Sequence, residues 1–160
     1  MKKNVVSTKR LCVTPQSMEE LTMLYEKEVD REMKKAYKDM LETMGQLPGQ
    51  EEWGSEWKIS LASGSIIGGI GFKGTPDAEG TVEIGYGIDE AYRRKGYATE
   101  AVNGMVKWAL EQKGVQCVSA QTEPGNDISQ KVLLNNGFVR DGYGEEGPRW
   151  TVCRNGNAGN

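Results

Sequence analysis

The residues that could do chemistry in this chain centre on three cations running into a glycine, Ala91-Tyr92-Arg93-Arg94-Lys95-Gly96-Tyr97-Ala98-Thr99-Glu100-Ala101. Such a run can be a nucleic-acid patch, a solvated charge cluster or a cradle for a phosphorylated cofactor. Its flanks separate these readings. Thr81 to Ile88 alternates as a strand does, with Val82, Ile84, Tyr86 and Ile88 on one face. After the cations, Ala98, Ala101, Val102, Met105 and Ala109 recur at helical spacing. A loop over residues 89–95 therefore joins a strand to a helix that begins near Tyr97 to Thr99. The free N–H groups of a first helical turn and the helix dipole form an anion site. Gly96 permits a backbone conformation closed to other residues, and Ala98 is small enough for close approach. Arg93, Arg94 and Lys95 would raise the affinity for a polyphosphate. Glu100 would oppose an anion, so it is expected to point away.

The rest of the composition narrows the chemistry. There is no histidine among the 160 residues, which removes Ser-His and Cys-His nucleophile arrangements and the usual zinc enzymes. Acids and bases must come from Glu, Asp, Tyr, Cys, Lys, an activated hydroxyl or water. Cys12, Cys117 and Cys153 are odd in number and far apart, so neither a disulfide framework nor a metal site is expected, and a reducing cytoplasm fits. The net charge of −3 argues against a protein built to bind nucleic acid. No apolar run approaches the roughly 20 residues that span a bilayer. The start, MKKNVVSTKR, has no apolar core behind its lysines, so no signal peptide is expected. Gly69-Ile70-Gly71-Phe72-Lys73-Gly74 matches G-x-G-x-x-G, but a turn and another strand follow where a dinucleotide site needs a helix, so it is read as a decoy.

The elements that must position the cradle follow from pattern. Thr8 to Val13 reads as a first strand. Ser17 and Glu20 have capping-box spacing. No Gly or Pro interrupts Gln16 to Met44, which predicts one long helix or two joined ones, with Val29, Met33, Ala36, Met40 and Met44 as the apolar stripe. Pro48-Gly49 marks a loop. Trp53 and Trp57 at its exit are core residues or the wall of a pocket. Trp57 to Leu61 and Ser65 to Phe72 read as strands joined at Ser63-Gly64. Gly114 stands where the cap of the cradle helix belongs. Val115 to Thr122 is a strand, Asn126 or Asp127 caps a short helix ending near Asn136-Gly137, and Phe138 to Tyr143 and Arg149 to Cys153 close the series. The order is β-α-α-β-β-β-α-β-α-β-β, an α+β layered class with a mixed sheet of about 6–7 strands flanked by helices. Residues 1–154 are read as one domain and 155–160 as a frayed tail.

Arg93-x-x-Gly96-x-Ala98, placed after Tyr86-Gly87-Ile88, resembles the R/Q-x-x-G-x-G/A signature of the GNAT superfamily of acyl-CoA N-acyltransferases. Asn126-x-x-Ser129, Leu133 and Asn136-Gly137-Phe138 resemble the family's second signature. The longer run from Glu83-Ile84-Gly85-Tyr86 to Thr99-Glu100-Ala101 is similar to the branch that contains ribosomal-protein N-terminal acetyltransferases. The resemblance implies a three-layer fold and an acetyl-CoA-dependent N-acetyltransferase, in which an amine of a protein N-terminus or a small molecule attacks the thioester directly. It implies that strands on either side of the cradle helix splay, and that backbone groups of Tyr86 and Ile88 hold the pantetheine arm. Amides around Arg94, Gly96, Tyr97, Ala98 and Thr99, tuned by Arg93 and Lys95, would hold the pyrophosphate. Asn126 and Ser129 would touch the arm or the thioester. Glu83 is the candidate base. The family's frequent tyrosine acid falls at Leu133, so Ser129, Tyr86, Tyr97 or water must serve. The same substitution favours an alternative, a cofactor-binding sensor or partner module with little turnover. A homodimer is left open as a partner. The acceptor groove should involve Tyr37 to Trp57 and Tyr143 to Trp150, where Glu42, Glu51, Glu52, Glu56, Glu145 and Glu146 suggest a cationic acceptor.

Overall fold

The computed structural model describes residues 4–154; the tail expected over residues 155–160 lies outside them. The chain opens with β1 (Val6–Ser7) and β2 (Leu11–Pro15), then α1 (Met18–Lys27) and α2 (Arg31–Gly45). The capping box forms as its spacing predicts: Glu20 N donates to Ser17 Oγ at 3.1 Å and Ser17 N to Glu20 Oε1 at 3.0 Å. The stretch read as one or two helices is two. The first ends at Glu28, whose backbone is extended, and Asp30 starts the second, its carboxylate accepting from Met33 N at 3.0 Å to cap α2. Val29, expected on the apolar stripe, therefore sits in the joint and is 93% exposed, and of the stripe only Met44 is buried.

β3 (Glu56–Leu61), β4 (Ile66–Phe72) and β5 (Thr81–Ile88) form an antiparallel meander. α3 (Tyr97–Glu111) then crosses to β6 (Cys117–Gln121), which runs parallel to β5. α4 (Asp127–Asn135), β7 (Val139–Tyr143) and β8 (Pro148–Cys153) complete a sheet ordered β1-β2-β3-β4-β5-β6-β8-β7. The α+β class stands. The count is eight strands rather than six or seven, because Val6–Ser7 adds a two-residue edge against Cys12 and Val13. Gly69 and Gly71 lie inside β4 and another strand follows, so the G-x-G-x-x-G match is a decoy.

Strand alternation sends the sheet's two faces to different work. Trp57, Ile70 and Tyr86 stand in register on one face, as do Val82, Val118 and Val152. That face carries the main core, closed by Ala101, Val102 and Met105 of α3 and by Leu133 and Phe138 at α4. Trp53 and Trp57 belong to this core: Trp108 lies 5.0 Å from Trp53 and 4.9 Å from Trp57, ring centre to ring centre. On the other face, Leu21 and Met44 are buried apart from that cluster, and Glu20 of α1 holds Lys58 of β3 at 2.7 Å. The α1–α2 hairpin covers this second face.

The cysteines require a correction. Antiparallel pairing sets Cys117 opposite Cys153, and the two form a disulfide across a sequence separation of 36. No local spacing signals a bond that depends on the β6–β8 register. It also removes the cysteine pattern as an argument for a reducing compartment.

The core makes a stability prediction. Trp57 is fully buried and its indole N–H donates to Glu52 O at 3.0 Å. Trp57→Ala should lower the unfolding free energy by about 3–5 kcal/mol, read from the shift of the urea denaturation midpoint at unchanged slope.

Candidate active site

β5 and β6 pair only at Thr81–Cys117, Val82–Val118 and Glu83–Ser119. β5 runs on to Ile88 along β4, while β6 runs on to Gln121 along β8. The parallel strands therefore part after Glu83. An internal strand edge carries backbone donors and acceptors that seek partners, so the opening is a place for an extended ligand to take a strand's position.

The cradle stands beside this opening. After Ile88, a short helical turn at Glu90–Tyr92 leads to Arg94, whose φ of +67° is the one positive value outside glycine among the described residues. Gly96 follows at φ +83° and is the N-cap of α3. A side chain caps α1, α2 and α4, at Ser17, Asp30 and Asn126; no side chain caps α3. Its first turn therefore begins without a side-chain cap, directly after the loop of Arg93, Arg94 and Lys95. Arg93 turns partly inward, with Nε donating to Ile88 O at 2.8 Å.

Glu100 points away from the cradle, as expected. It accepts from Arg10 N and Arg10 Nε, both at 2.7 Å, and from the Thr8 hydroxyl. Burial pushes its carboxyl up, but the bonds from Thr8 and Arg10 outweigh this and hold it below the ordinary glutamate value. Arg10 is a cradle residue that sequence reasoning missed. Its guanidinium donates to Lys95 O at 3.0 Å and lies 4.4 Å from the centre of the Tyr97 ring. It lies in the turn just before β2, so only the fold brings it here.

At the core side of the opening, Tyr86 and Ser129 meet, with their hydroxyl oxygens 2.8 Å apart. Burial pushes the Tyr86 phenol up, and the Ser129 bond offsets part of that. Asn126 accepts from Ser129 N at 3.1 Å and so sets the start of α4. Leu133 is fully buried in the core. On the opposite face Glu83 marks the vertex where the strands part. Its Oε2 accepts from Lys73 Nζ at 2.9 Å and from Gln121 Nε2 at 3.0 Å. Lys73 also reaches Glu146 at 3.3 Å. Burial lowers the Lys73 pKa, but the two carboxylates outweigh it and raise it. Lys73, Glu83 and Gln121 line a cleft of about 380 Å³ with Ser119 and Tyr143. Lys73 and Gln121 were also missed, since their link to Glu83 is a matter of strand register. Among the described residues no cluster of acidic or cysteine side chains could hold a metal ion, and no helix is long and apolar enough to cross a membrane.

A mixed sheet opened between two parallel strands, with an uncapped helix start beside the opening, is the site that these elements build. The family model described as an acetyltransferase (GNAT) domain matches residues 9–139, and the chain belongs to that family. It is similar to the uncharacterized N-acetyltransferase YjdG of Bacillus subtilis (strain 168), 40% identical over 85 residues, 53% of this chain and 51% of that protein. The chain thus spans about half the length of that relative. It is 30% identical to the uncharacterized N-acetyltransferase YoaA of the same organism over 127 residues, 79% of this chain and 71% of that one. Two solved structures share the fold. The ribosomal-protein-S5-alanine acetyltransferase from Vibrio fischeri superposes with a TM-score of 0.74 at 16% identity, covering 95% of this chain and 97% of that one. RimL, a ribosomal L7/L12 alpha-N-protein acetyltransferase in complex with coenzyme A, gives 0.73 at 11%, covering 96% and 100%.

Glu100 ties the edge strands to the cradle helix, which gives a pH prediction. A carboxyl held below its unfolded value stabilises the fold above that value, and the contribution is lost as pH falls through the depressed one. Glu100→Gln should be less stable than the parent at neutral pH, and the gap should close as pH falls below the usual glutamate value of about 4.3. Urea denaturation of both proteins across this range reads it.

Proposed function

We propose that this chain is an acetyl-CoA-dependent N-acetyltransferase that moves an acetyl group to a primary amine, of a protein N-terminus or a small molecule, by direct attack in a ternary complex. The parting of β5 from β6 beside the uncapped start of α3 carries this reading. The residues present suit the cofactor. Backbone groups of Tyr86 and Ile88 lie on the strand edge where the pantetheine arm would take a strand's place. The amides of Gly96, Tyr97, Ala98 and Thr99, the turn at Arg94 and the exposed side chains of Arg94 and Lys95 would meet the pyrophosphate, while Arg93 braces the loop through Ile88 O. Asn126 fixes Ser129, and Ser129 stands against Tyr86 at the thioester end. The acetyl-CoA-binding part of the reading is supported by the coenzyme A complex of RimL, a structural neighbour. A cytoplasmic setting goes with it.

The attacking amine must be neutral, so a group has to accept its proton. Glu83 is placed for this. Its Oε2 is held by Lys73 and Gln121, which orients the carboxylate, and its Oε1 has no partner among the described residues. A backbone N–H of β5 polarises the carbonyl that receives the amine. The Tyr86–Ser129 hydroxyl pair supplies a proton to the departing thiolate, in place of the tyrosine that Leu133 replaces. Orientation of the two substrates contributes the larger share of the rate, which suits a site built mostly from backbone.

Gly96→Asp tests the cradle. It puts a side chain and a negative charge at a residue in the left-handed region beside the free amides. Calorimetry should show acetyl-CoA binding weakened by at least about 100-fold, near 2.7 kcal/mol, with the far-ultraviolet dichroism retained; unchanged affinity refutes the assignment. Glu83→Gln tests the base. The rate of thiol release should fall by about 100-fold or more while acetyl-CoA affinity holds, and an undiminished rate across pH would remove Glu83 from the mechanism.

A further inference from the structure

The cleft at the vertex of the opening contains a primary amine of the chain itself. Lys73 follows β4 directly, and its N donates to Glu83 O at 2.9 Å, so the two residues face each other across the β4–β5 pair. Both line the cleft, and among the described residues Lys73 is the one lysine that does. Its stem lies over Gly85, where an added Cβ would stand 3.9 Å from Lys73 Cε. Gly85 pairs with Gly71, so neither strand puts a side chain beneath that stem. The amine is thereby delivered to Glu83 Oε2 at 2.9 Å, the oxygen that also accepts from Gln121 Nε2 at 3.0 Å. Gln121 belongs to β6, on the far side of the opening. Lys73 Nζ thus stands at the mouth of the opening, on the carboxylate that is placed to take an acceptor's proton.

We propose that Lys73 is a modification site: the protein moves an acetyl group from acetyl-CoA to its own Lys73 Nζ, with Glu83 as the base. The inference rests on the acetyltransferase reading and extends it to a side chain of the same molecule. The ammonium gives one proton to Glu83 Oε2 along their hydrogen bond, and Glu83 passes it to water. The freed lone pair forms a C–N bond to the thioester carbonyl carbon. The C–S bond breaks, and the sulfur leaves with the second proton of the nitrogen as the coenzyme A thiol. The product is an acetylated lysine that keeps one N–H.

The surroundings make this reaction specific to the bound donor. Burial favours the neutral amine, but the bonds to Glu83 and Glu146 outweigh it and keep the resting side chain charged. The amine is therefore slow toward reagents arriving from solution. Beside the opening it has a base in contact, and its attachment to β4 holds it there at high effective concentration. Acetylation removes the charge and with it the ion pairs to Glu83 at 2.9 Å and to Glu146 at 3.3 Å. Glu146 lies between β7 and β8, so the modification also releases the ion pair that ties that loop to the end of β4.

The test incubates the whole protein with acetyl-CoA and no added amine, and follows each lysine by peptide mass spectrometry. Lys73 should gain the mass of one acetyl group at least about tenfold faster than the exposed Lys107 and Lys113. Its rate constant should not change with protein concentration, as transfer within one molecule requires. Glu83→Gln should slow the gain at Lys73 on the order of 100-fold. Lys73→Arg, which keeps a cation at the site, should take up no acetyl group there and should leave Lys107 and Lys113 at the parent's slow rate. A second reagent needs no cofactor site. With trace acetic anhydride and the protein free of coenzyme A, the order should reverse, with Lys73 slower than Lys107 and Lys113. Glu83→Gln should speed the anhydride reaction of Lys73 while slowing that with acetyl-CoA, opposite signs that a merely structural carboxylate would not give. An unmodified Lys73, equal rates at all three lysines, a rate that rises with protein concentration, an unslowed Glu83→Gln, or a Lys73 that is already the fastest toward anhydride overturns the proposal. Calorimetry with acetyl-CoA on the same samples separates the readings: no binding rejects the acetyltransferase reading as well, whereas binding with Lys73 unmodified rejects only self-acetylation.

Discussion

The structure depends on one incomplete pairing. β5 and β6 share three residue pairs and then separate, although both continue as strands along their other neighbours. A parallel sheet interior that parts this way leaves polar backbone facing a gap, which is tolerable only if something fills it. Several other features compensate for the gap. Tyr86 and Ser129 bridge toward α4 with a hydroxyl pair, and Gln121 reaches back to Glu83 at the vertex. The core face stays packed throughout, with Ile84 and Ile88 of β5 buried beyond the last β6 partner. The opening is therefore a feature of one edge of one strand and does not become a cavity in the core.

Backbone conformation and side-chain braces together hold the loop geometry of the cradle. A residue in the left-handed region is uncommon unless it is glycine, and here Arg94 and Gly96 are both there, separated by one residue. The alternation turns the loop so that its amides converge on the start of α3. Arg10 braces this geometry from the β1–β2 turn by gripping Lys95 O, stacking on Tyr97 and pairing with Glu100. The cations beside the cradle thus do two different jobs. Arg10 and Arg93 hold backbone oxygens, while Arg94 and Lys95 are exposed.

What was legible in the sequence was what local periodicity and capping determine. β5 ends where its alternation ends, α3 begins at the glycine, and Asn126 caps α4 at the predicted position. The break between α1 and α2 was not legible, because no glycine or proline marks it and Asp30 reads like one more solvated charge. Register was not legible either. It decides that Cys117 faces Cys153, that Lys73 meets Glu83, and that four glycines line up across two strands. Arg10 lies 85 residues from the carbonyl it holds, so no spacing rule could recruit it to the site. The loop and helix starts of the candidate site were legible, because their motifs are contiguous; the contacts of Glu83 were hidden, because Lys73 just after β4 and Gln121 of β6 reach it only through register.

The period-two alternation of β5 has a consequence for how such a protein can change over generations. Val82, Ile84, Tyr86 and Ile88 serve the core face; Thr81, Glu83, Gly85 and Gly87 serve the cleft face. A mutation at Val82, Ile84 or Ile88 disturbs folding, Tyr86 joins the core to the opening through its hydroxyl, and one at an odd-numbered residue acts on the cleft. Gene copies could therefore drift toward new acceptors along a single strand while inheriting an intact scaffold, with selection acting separately on neighbouring codons.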